Sequence, residues 1–268
     1  MERMKKMTIS TLKKMKKDKK KIVCLTAYDA SFAQMIAAAG VDVLLVGDSL
    51  GMVIQGHGST TPVSIAEIVY HSQCVRRGAP NALIIADMPF LSAANIDLAV
   101  TNAGLLMQQG GAEIVKVEGA GKMISVVESL SEQGIPVCGH LGLTPQSVHK
   151  LGGYKVQGRD EQSAEKILLD ATKLEEAGAD LLVLECVPEQ LAQEISLNIS
   201  IPTIGIGAGV YCDGQVLVTY DLLGLSHGLR PRFVKDFLAE TGDISSAMRK
   251  YVEDVRNEKF PASEHSFS

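Results

Sequence analysis

Four apolar runs in this chain each close on a single carboxylate: VLLVGD at Asp48, LIIAD at Asp87, IVKVE at Glu118 and LLVLE at Glu185. Runs of branched aliphatics without polar alternation suit strands covered on both faces, as in a parallel sheet. An unpaired charge is too costly for a core, so a carboxylate at the C-terminal end of such a strand points to a site. Four in register suggest acids converging on one mouth, where a parallel barrel keeps its chemistry.

The rest of the chain repeats that layout. Strands are predicted near 22–27, 43–47, 83–87, 113–118, 136–140, 180–185, 202–206 and 215–219, with helical patterns at 30–39, 64–77, 94–109, 121–133, 161–177 and 188–196 between most of them. Gly40, Gly110-Gly111, Gly134 and Gly178 stand at helix-to-strand returns, where a left-handed cap favours glycine. Strand alternating with helix means a parallel sheet, and 268 residues suit the roughly 250 of one barrel. The expected fold is α/β, a single (β/α)8 TIM barrel spanning 1–268. A basic lead-in helix (about 1–21) precedes it and C-terminal helices (about 229–260) follow. An open doubly wound sheet is the alternative, but it would use mainly its switch point rather than every strand end. Residues 141–160 form the longest non-periodic stretch. Segments of that length are usually functional, so this one is expected to be a lid over the mouth.

Composition narrows the partners. Aromatics make up 4% and Trp is absent, which argues against nucleic-acid binding by base stacking. No apolar run reaches the length of a membrane span and no signal-peptide core is present. Small-molecule substrates and a cytoplasmic location are therefore expected, with no nucleic acid and no membrane. The net charge of -5 is uneven: residues 1–21 carry ten Lys and Arg against Glu2 and Asp18. That start is expected to be a solvated amphipathic helix. Cys24, Cys74, Cys138, Cys186 and Cys212 lack metal-ligand spacing and are expected to be reduced thiols.

The strand-end residues suggest a metal-assisted reaction. Neighbouring strands lie about 4.8 Å apart, so Asp48, Asp87 and Glu118 span roughly 10 Å of rim. Two of them can share a cation directly, with the third reaching it through water. All-oxygen ligation selects a hard cation such as Mg2+. Lys116 lies two residues before Glu118 and shares its side of the strand, where it can bind a substrate carboxylate or stabilise a developing oxyanion. Glu185, framed by Leu184 and Cys186 and expected across the mouth from the metal cluster, suits a general base. His140 ends the fifth strand, either as a hydrogen-bonded core residue or against substrate. GIGAG at 205–209 does not satisfy the GxGxxG fingerprint, though it permits close approach of a ligand.

Longer motifs carry a family resemblance: TAYD at 26–29, VGDSLGMVIQGH at 46–57, YHSQCVRRGAP at 70–80, ADMPF at 86–90, VKVEG at 115–119, PVCGHLGLTPQS at 136–147, GGYKVQGR at 152–159, LLVLECVP at 181–188, IPTIGIGAG at 201–209, FLAETGDI at 237–244 and EHSF at 264–267. From about residue 8 to its end the chain resembles the ketopantoate (3-methyl-2-oxobutanoate) hydroxymethyltransferase family. The resemblance implies a barrel of the phosphoenolpyruvate mutase/isocitrate lyase-like type, assembled as a homodecamer. It implies transfer of a hydroxymethyl group from 5,10-methylenetetrahydrofolate to 3-methyl-2-oxobutanoate through a Mg2+-stabilised enolate, giving 2-dehydropantoate for pantothenate synthesis. One Mg2+ per subunit would be held by Asp48 and Asp87, with Glu118 in the set through water. Asp48, Ser49, Asp87 and Lys116 would contact the keto acid, His140 would sit near it, and Glu185 would accept the proton. Where relatives often carry a His before the Asp, this chain has TYD at 219–221, which puts an eighth-strand histidine in doubt. The competing function is another Mg2+-dependent enolate-type C–C lyase or mutase. Isocitrate lyase-type relatives carry KKCGH where Val137 here precedes Cys138. A barrel acting only as a binding protein is the third reading, opposed by the full set of acids beside Lys116.

Overall fold

The structure, a computed structural model, describes residues 6–226 and 230–268. Parallel strands β1 (Ile22–Thr26), β2 (Val43–Val46), β3 (Leu83–Asp87), β4 (Ile114–Glu118), β5 (Val137–Gly142), β6 (Leu181–Glu185), β7 (Thr203–Ile206) and β8 (Gly214–Leu217) close a barrel in chain order. The closing pair sets Cys24 of β1 beside Val216 of β8. The fold expected from the alternating pattern is the one found. Every strand residue is buried except Glu118, Gly142 and Glu185, which are partly open. All three lie at C-terminal strand ends, so the barrel opens there, above an apolar plug that includes Cys24, Leu45, Ile85, Val183 and Val216.

The helices are α1 (Ile9–Lys17), α2 (Ala30–Ala38), α3 (Leu50–Val53), α4 (Ile65–Gly78), α5 (Ile96–Gln108), α6 (Lys122–Glu132), α7 (Val148–Leu151), α8 (Glu161–Glu176), α9 (Glu189–Asn198), α10 (Thr219–Leu222), α11 (Phe237–Thr241) and α12 (Ile244–Arg256). Side-chain caps start several of them: Asp29 on α2, Ser64 with Glu67 as a capping box on α4, Asn95 on α5 and Asp160 on α8. The return glycines Gly40, Gly111, Gly134 and Gly178 all have positive φ, while Gly110 does not share that conformation. No helix joins β7 to β8. Instead α12 covers the closing seam: the Tyr251 hydroxyl donates to the Cys24 carbonyl at 3.0 Å and lies 3.1 Å from that of Gln215.

The lead-in differs from expectation. Its helix is shorter than 1–21, begins at Ile9 after the Thr8 cap, and is docked along one face while Lys14 and Lys17 stay exposed on the other. Leu12 is fully buried. Lys16 reaches the barrel's N-terminal end, where its ammonium donates to the carbonyls of Ser196 and Ile201 and pairs with Asp213 at 2.8 Å. Lys13 pairs with Asp180 at 2.7 Å, and Lys21 donates to the carbonyls of Val210 and Cys212. Part of the basic charge thus satisfies carbonyls and acids left open below the strands. Residues 1–5 of the expected lead-in, and Leu229 at the start of the expected C-terminal region, lie outside the described residues. Among the described residues no helix is long and apolar enough to cross a membrane.

Candidate active site

The strand-end residues singled out from the sequence meet in one cavity of about 590 Å³ at the C-terminal mouth: Asp48, Ser49, Asp87, Lys116, Glu118, His140 and Glu185 all line it. Strand register brings them together. Asp87 sits beside Lys116, Glu118 beside His140, and Gly142 beside Glu185. Gly142 makes the last pairing possible: its φ is +91°, and a Cβ there would lie 2.1 Å from the Glu185 carbonyl oxygen. With hydrogen in that place, the Leu143 amide donates to the same oxygen at 2.8 Å.

Charge is concentrated at the floor. The Lys116 ammonium lies 3.1 Å from Asp87 Oδ1 and 4.0 Å from Glu118 Oε1. The Asp48 amide donates to Asp87 Oδ2 at 3.0 Å. Burial alone would lower the Lys116 pKa, but Asp87, Glu118 and Asp48 raise it and keep the side chain charged. Burial, then the charges of Asp87 and Glu118, push the Asp48 carboxyl well above the ordinary range. Burial likewise raises Asp87, although Lys116 partly offsets it. Glu118 is lowered: burial opposes its charge, but His140, Lys116 and the Gln146 amide stabilise it more.

His140 joins the two halves of the floor. Its Nδ1 lies 3.3 Å from Glu118 Oε1 and 3.3 Å from the Lys116 ammonium, and its Nε2 lies 3.2 Å from Glu185 Oε2. Burial and the Lys116 charge depress its pKa, yet Glu118 and Glu185 more than compensate and raise it to about 9. Glu185 is therefore one imidazole ring from Glu118, not isolated across the mouth, because β5 carries His140 between them. Its side chain is 14% exposed against 5% for Glu118, leaving it accessible from the cavity.

Asp48, Asp87 and Glu118 crowd around the single Lys116 ammonium, and the burial and mutual repulsion that raise Asp48 are what a bound divalent cation would relieve. Asp87 Oδ1, despite its nearness to Lys116, has no aligned hydrogen-bond partner. A buried carboxylate oxygen whose one contact is an unaligned ammonium, in an all-oxygen set, fits a hard cation. Among the described residues no three His, Cys, Asp or Glu side chains stand close enough to enclose an ion by themselves.

Two functional neighbours escaped the sequence reading. Gln146, from the loop after β5, donates its side-chain amide to Asp48 Oδ2 at 2.7 Å and to the Met88 carbonyl at 3.0 Å, while its backbone amide donates to Glu118 Oε2 at 3.0 Å. Tyr28 and Ser49 hydrogen-bond through their hydroxyls at 2.8 Å. Both lie inside motifs quoted above, TAYD and CGHLGLTPQS, but an uncharged amide or phenol carries no periodic signal. The stretch 141–160 is more ordered than expected. β5 runs to Gly142, a 3-10 turn covers Pro145–Ser147, and α7 follows. It does cross the mouth: Tyr154 and Val156 line the cavity, and the Gln157 amide donates to the Cys186 carbonyl at 2.9 Å.

A family model for ketopantoate hydroxymethyltransferase matches residues 6–263. The chain belongs to that family. Relatives named 3-methyl-2-oxobutanoate hydroxymethyltransferase include one from Shewanella sp. (strain MR-7), 58% identical over 99% of this chain and 100% of its own length. Another, from Shewanella loihica (strain ATCC BAA-1088 / PV-4), is 57% identical with the same coverage. Solved structures with the same fold include 2,3-dimethylmalate lyase, a PEP mutase/isocitrate lyase superfamily member, with TM-score 0.60 and 14% identity over 92% of this chain and 95% of that one. Phosphonopyruvate hydrolase in complex with oxalate and Mg++ gives TM-score 0.63 and 10% identity over 94% and 95%. This member of the ketopantoate hydroxymethyltransferase family thus shares its barrel fold with those two enzymes.

Proposed function

We propose that this chain transfers a hydroxymethyl group from 5,10-methylenetetrahydrofolate to 3-methyl-2-oxobutanoate, giving 2-dehydropantoate. The observation that carries the reading is the division of one cavity floor in a member of this family. A buried carboxylate cluster with Lys116 lies on one side, and the more open Glu185 on the other, with His140 between them. One Mg2+ per subunit, held by Asp48 and Asp87 directly and by Glu118 through water, would supply Lewis-acid polarisation of the keto acid.

The chain's own side chains account for the remaining roles. Lys116 and Ser49, the latter oriented by Tyr28, bind the oxygens of the keto acid. Glu185 takes the proton from C3, with His140 Nε2 holding its carboxylate at 3.2 Å. Negative charge developing on the keto oxygen meets the Lys116 ammonium, fixed in place before the reaction. The methylene carbon then passes to C3 as its two C–N bonds to the carrier break: water gives the hydroxyl group, its other proton and the one taken by Glu185 go to the two carrier nitrogens, and tetrahydrofolate leaves. Leu143, Val183 and Ile206 line the same cavity and limit water at the reacting carbon.

The competing lyase or mutase reading loses support at Cys138. That thiol is fully buried within β5, and burial pushes its pKa up to about 12, so it is out of reach as an acid at the mouth. The proposed reading brings with it a cytoplasmic enzyme of pantothenate synthesis and a homodecamer. Its test is direct. Purified protein given both substrates and Mg2+ should form 2-dehydropantoate and lose that activity on chelation. Product formation that ignores either substrate or the metal would contradict it.

A further inference from the structure

We propose that Phe233, Phe267 and Arg232 form the seat of the one-carbon carrier, with the two rings receiving its aminobenzoyl ring and Arg232 the carboxylate one amide link beyond it. The inference rests on the function proposed above and adds the place of the second substrate.

Space comes first. The cavity of about 590 Å³ lies in the roughly 300–1,000 Å³ range of sites that take drug-sized ligands. A five-carbon keto acid on the charged floor leaves most of it open. The remaining wall includes Phe233, Phe267, Arg230 and Arg232, with Tyr154 and Asp221 among its other lining residues, in a chain with only 4% aromatic residues.

Position narrows it further. The new carbon–carbon bond forms at C3, the atom that Glu185 deprotonates, so the carrier's methylene must reach the region beside Glu185. Glu185 pairs with Ile206 on β7, and the next residue, Gly207, seats both rings. A Cβ there would lie 2.8 Å from Phe233 Cδ1 and 3.1 Å from Phe267 Cε2. The absent side chain lets the rings close over the end of β7, one residue from the partner of Glu185.

The wall is also held together by its own contacts. The Glu189 amide donates to the Phe267 carbonyl at 2.9 Å. Arg232 Nε donates to the Glu264 carbonyl at 3.0 Å, and its guanidinium lies 5.8 Å from the centre of the Phe267 ring. Arg230 is tied to Asp236 at 2.9 Å, whereas Arg232 makes no ion pair with a carboxylate among the described residues and keeps its charge for an anion. Rings beside an unneutralised guanidinium match an aromatic ring that carries a carboxylate one short link away.

The test uses the full chain with Mg2+ and reads two quantities in Phe267→Ala, Phe267→Tyr and Arg232→Gln. One is KM for 5,10-methylenetetrahydrofolate; the other is deuterium exchange at C3 of 3-methyl-2-oxobutanoate without folate. Loss of one stacking partner should raise the carrier KM roughly five- to 100-fold in Phe267→Ala, with recovery in Phe267→Tyr and an increase in Arg232→Gln. C3 exchange should stay within about twofold of native, which also shows that the fold is intact. An unchanged carrier KM, or equal loss of exchange and transfer, would overturn the assignment. If the native protein itself fails to exchange C3, the proposed function falls before the carrier seat is reached.

Discussion

His140 decides how the single residues at the mouth are linked, since it contacts Glu118 through one ring nitrogen and Glu185 through the other. This division of labour separates binding from proton transfer. Glu185→Gln keeps size and hydrogen bonding but cannot accept a proton at neutral pH. We expect near-normal affinity for Mg2+ and keto acid, with C3 exchange and product formation down by about 100- to 10,000-fold. Native-like exchange in this variant would move the base to another group. On the opposite side, Asp48→Ala and Asp87→Ala each remove an anion proposed to touch the metal, and both should abolish turnover and most Mg2+ affinity. Glu118→Gln should cost about 10- to 100-fold in affinity if its contact runs through water. Calorimetric Mg2+ titration compares them, and equal losses in all three variants would erase the distinction. The charged members of this floor were legible in the sequence because a carboxylate or lysine inside an apolar run has few structural uses. Gln146 was not. Its three hydrogen bonds to the floor depend on where a loop returns in space.

At the scale of elements, strand bounds followed the apolar runs closely because parallel barrel strands are buried on both faces and show no polar interruption. The basic lead-in is amphipathic as its sequence implies, but its docked lysines carry no such mark. Charge marks a solvated face by default, and only the folded barrel reveals that Lys16 has carbonyls and Asp213 to satisfy. The segment between β5 and α8 is anchored at Gln146 and Gln157, while α7, Gly152, Gly153 and Tyr154 lie between those anchors. Few backbone contacts hold its middle, so we expect faster amide exchange there than in β5 or β6, and slower exchange once Mg2+ and keto acid are bound. Equal protection with and without ligands would rule out closure as a lid.

For the whole molecule, the barrel follows from a chain whose strands, helices and return glycines agree with one another, and closure brings the ends of β2 to β6 to one mouth. The register across β4, β5 and β6 converts separate sequence positions into one electrostatic unit, with Lys116 and the buried acids at one end and Glu185 at the other. The central claim is that this unit removes the C3 proton of a 2-keto acid with a divalent cation bound. Deuterium exchange at C3 of 3-methyl-2-oxobutanoate, followed in the absence of folate, tests it most directly. We expect exchange with Mg2+ present and its loss on chelation; no exchange in either condition, or exchange indifferent to the metal, would contradict the claim.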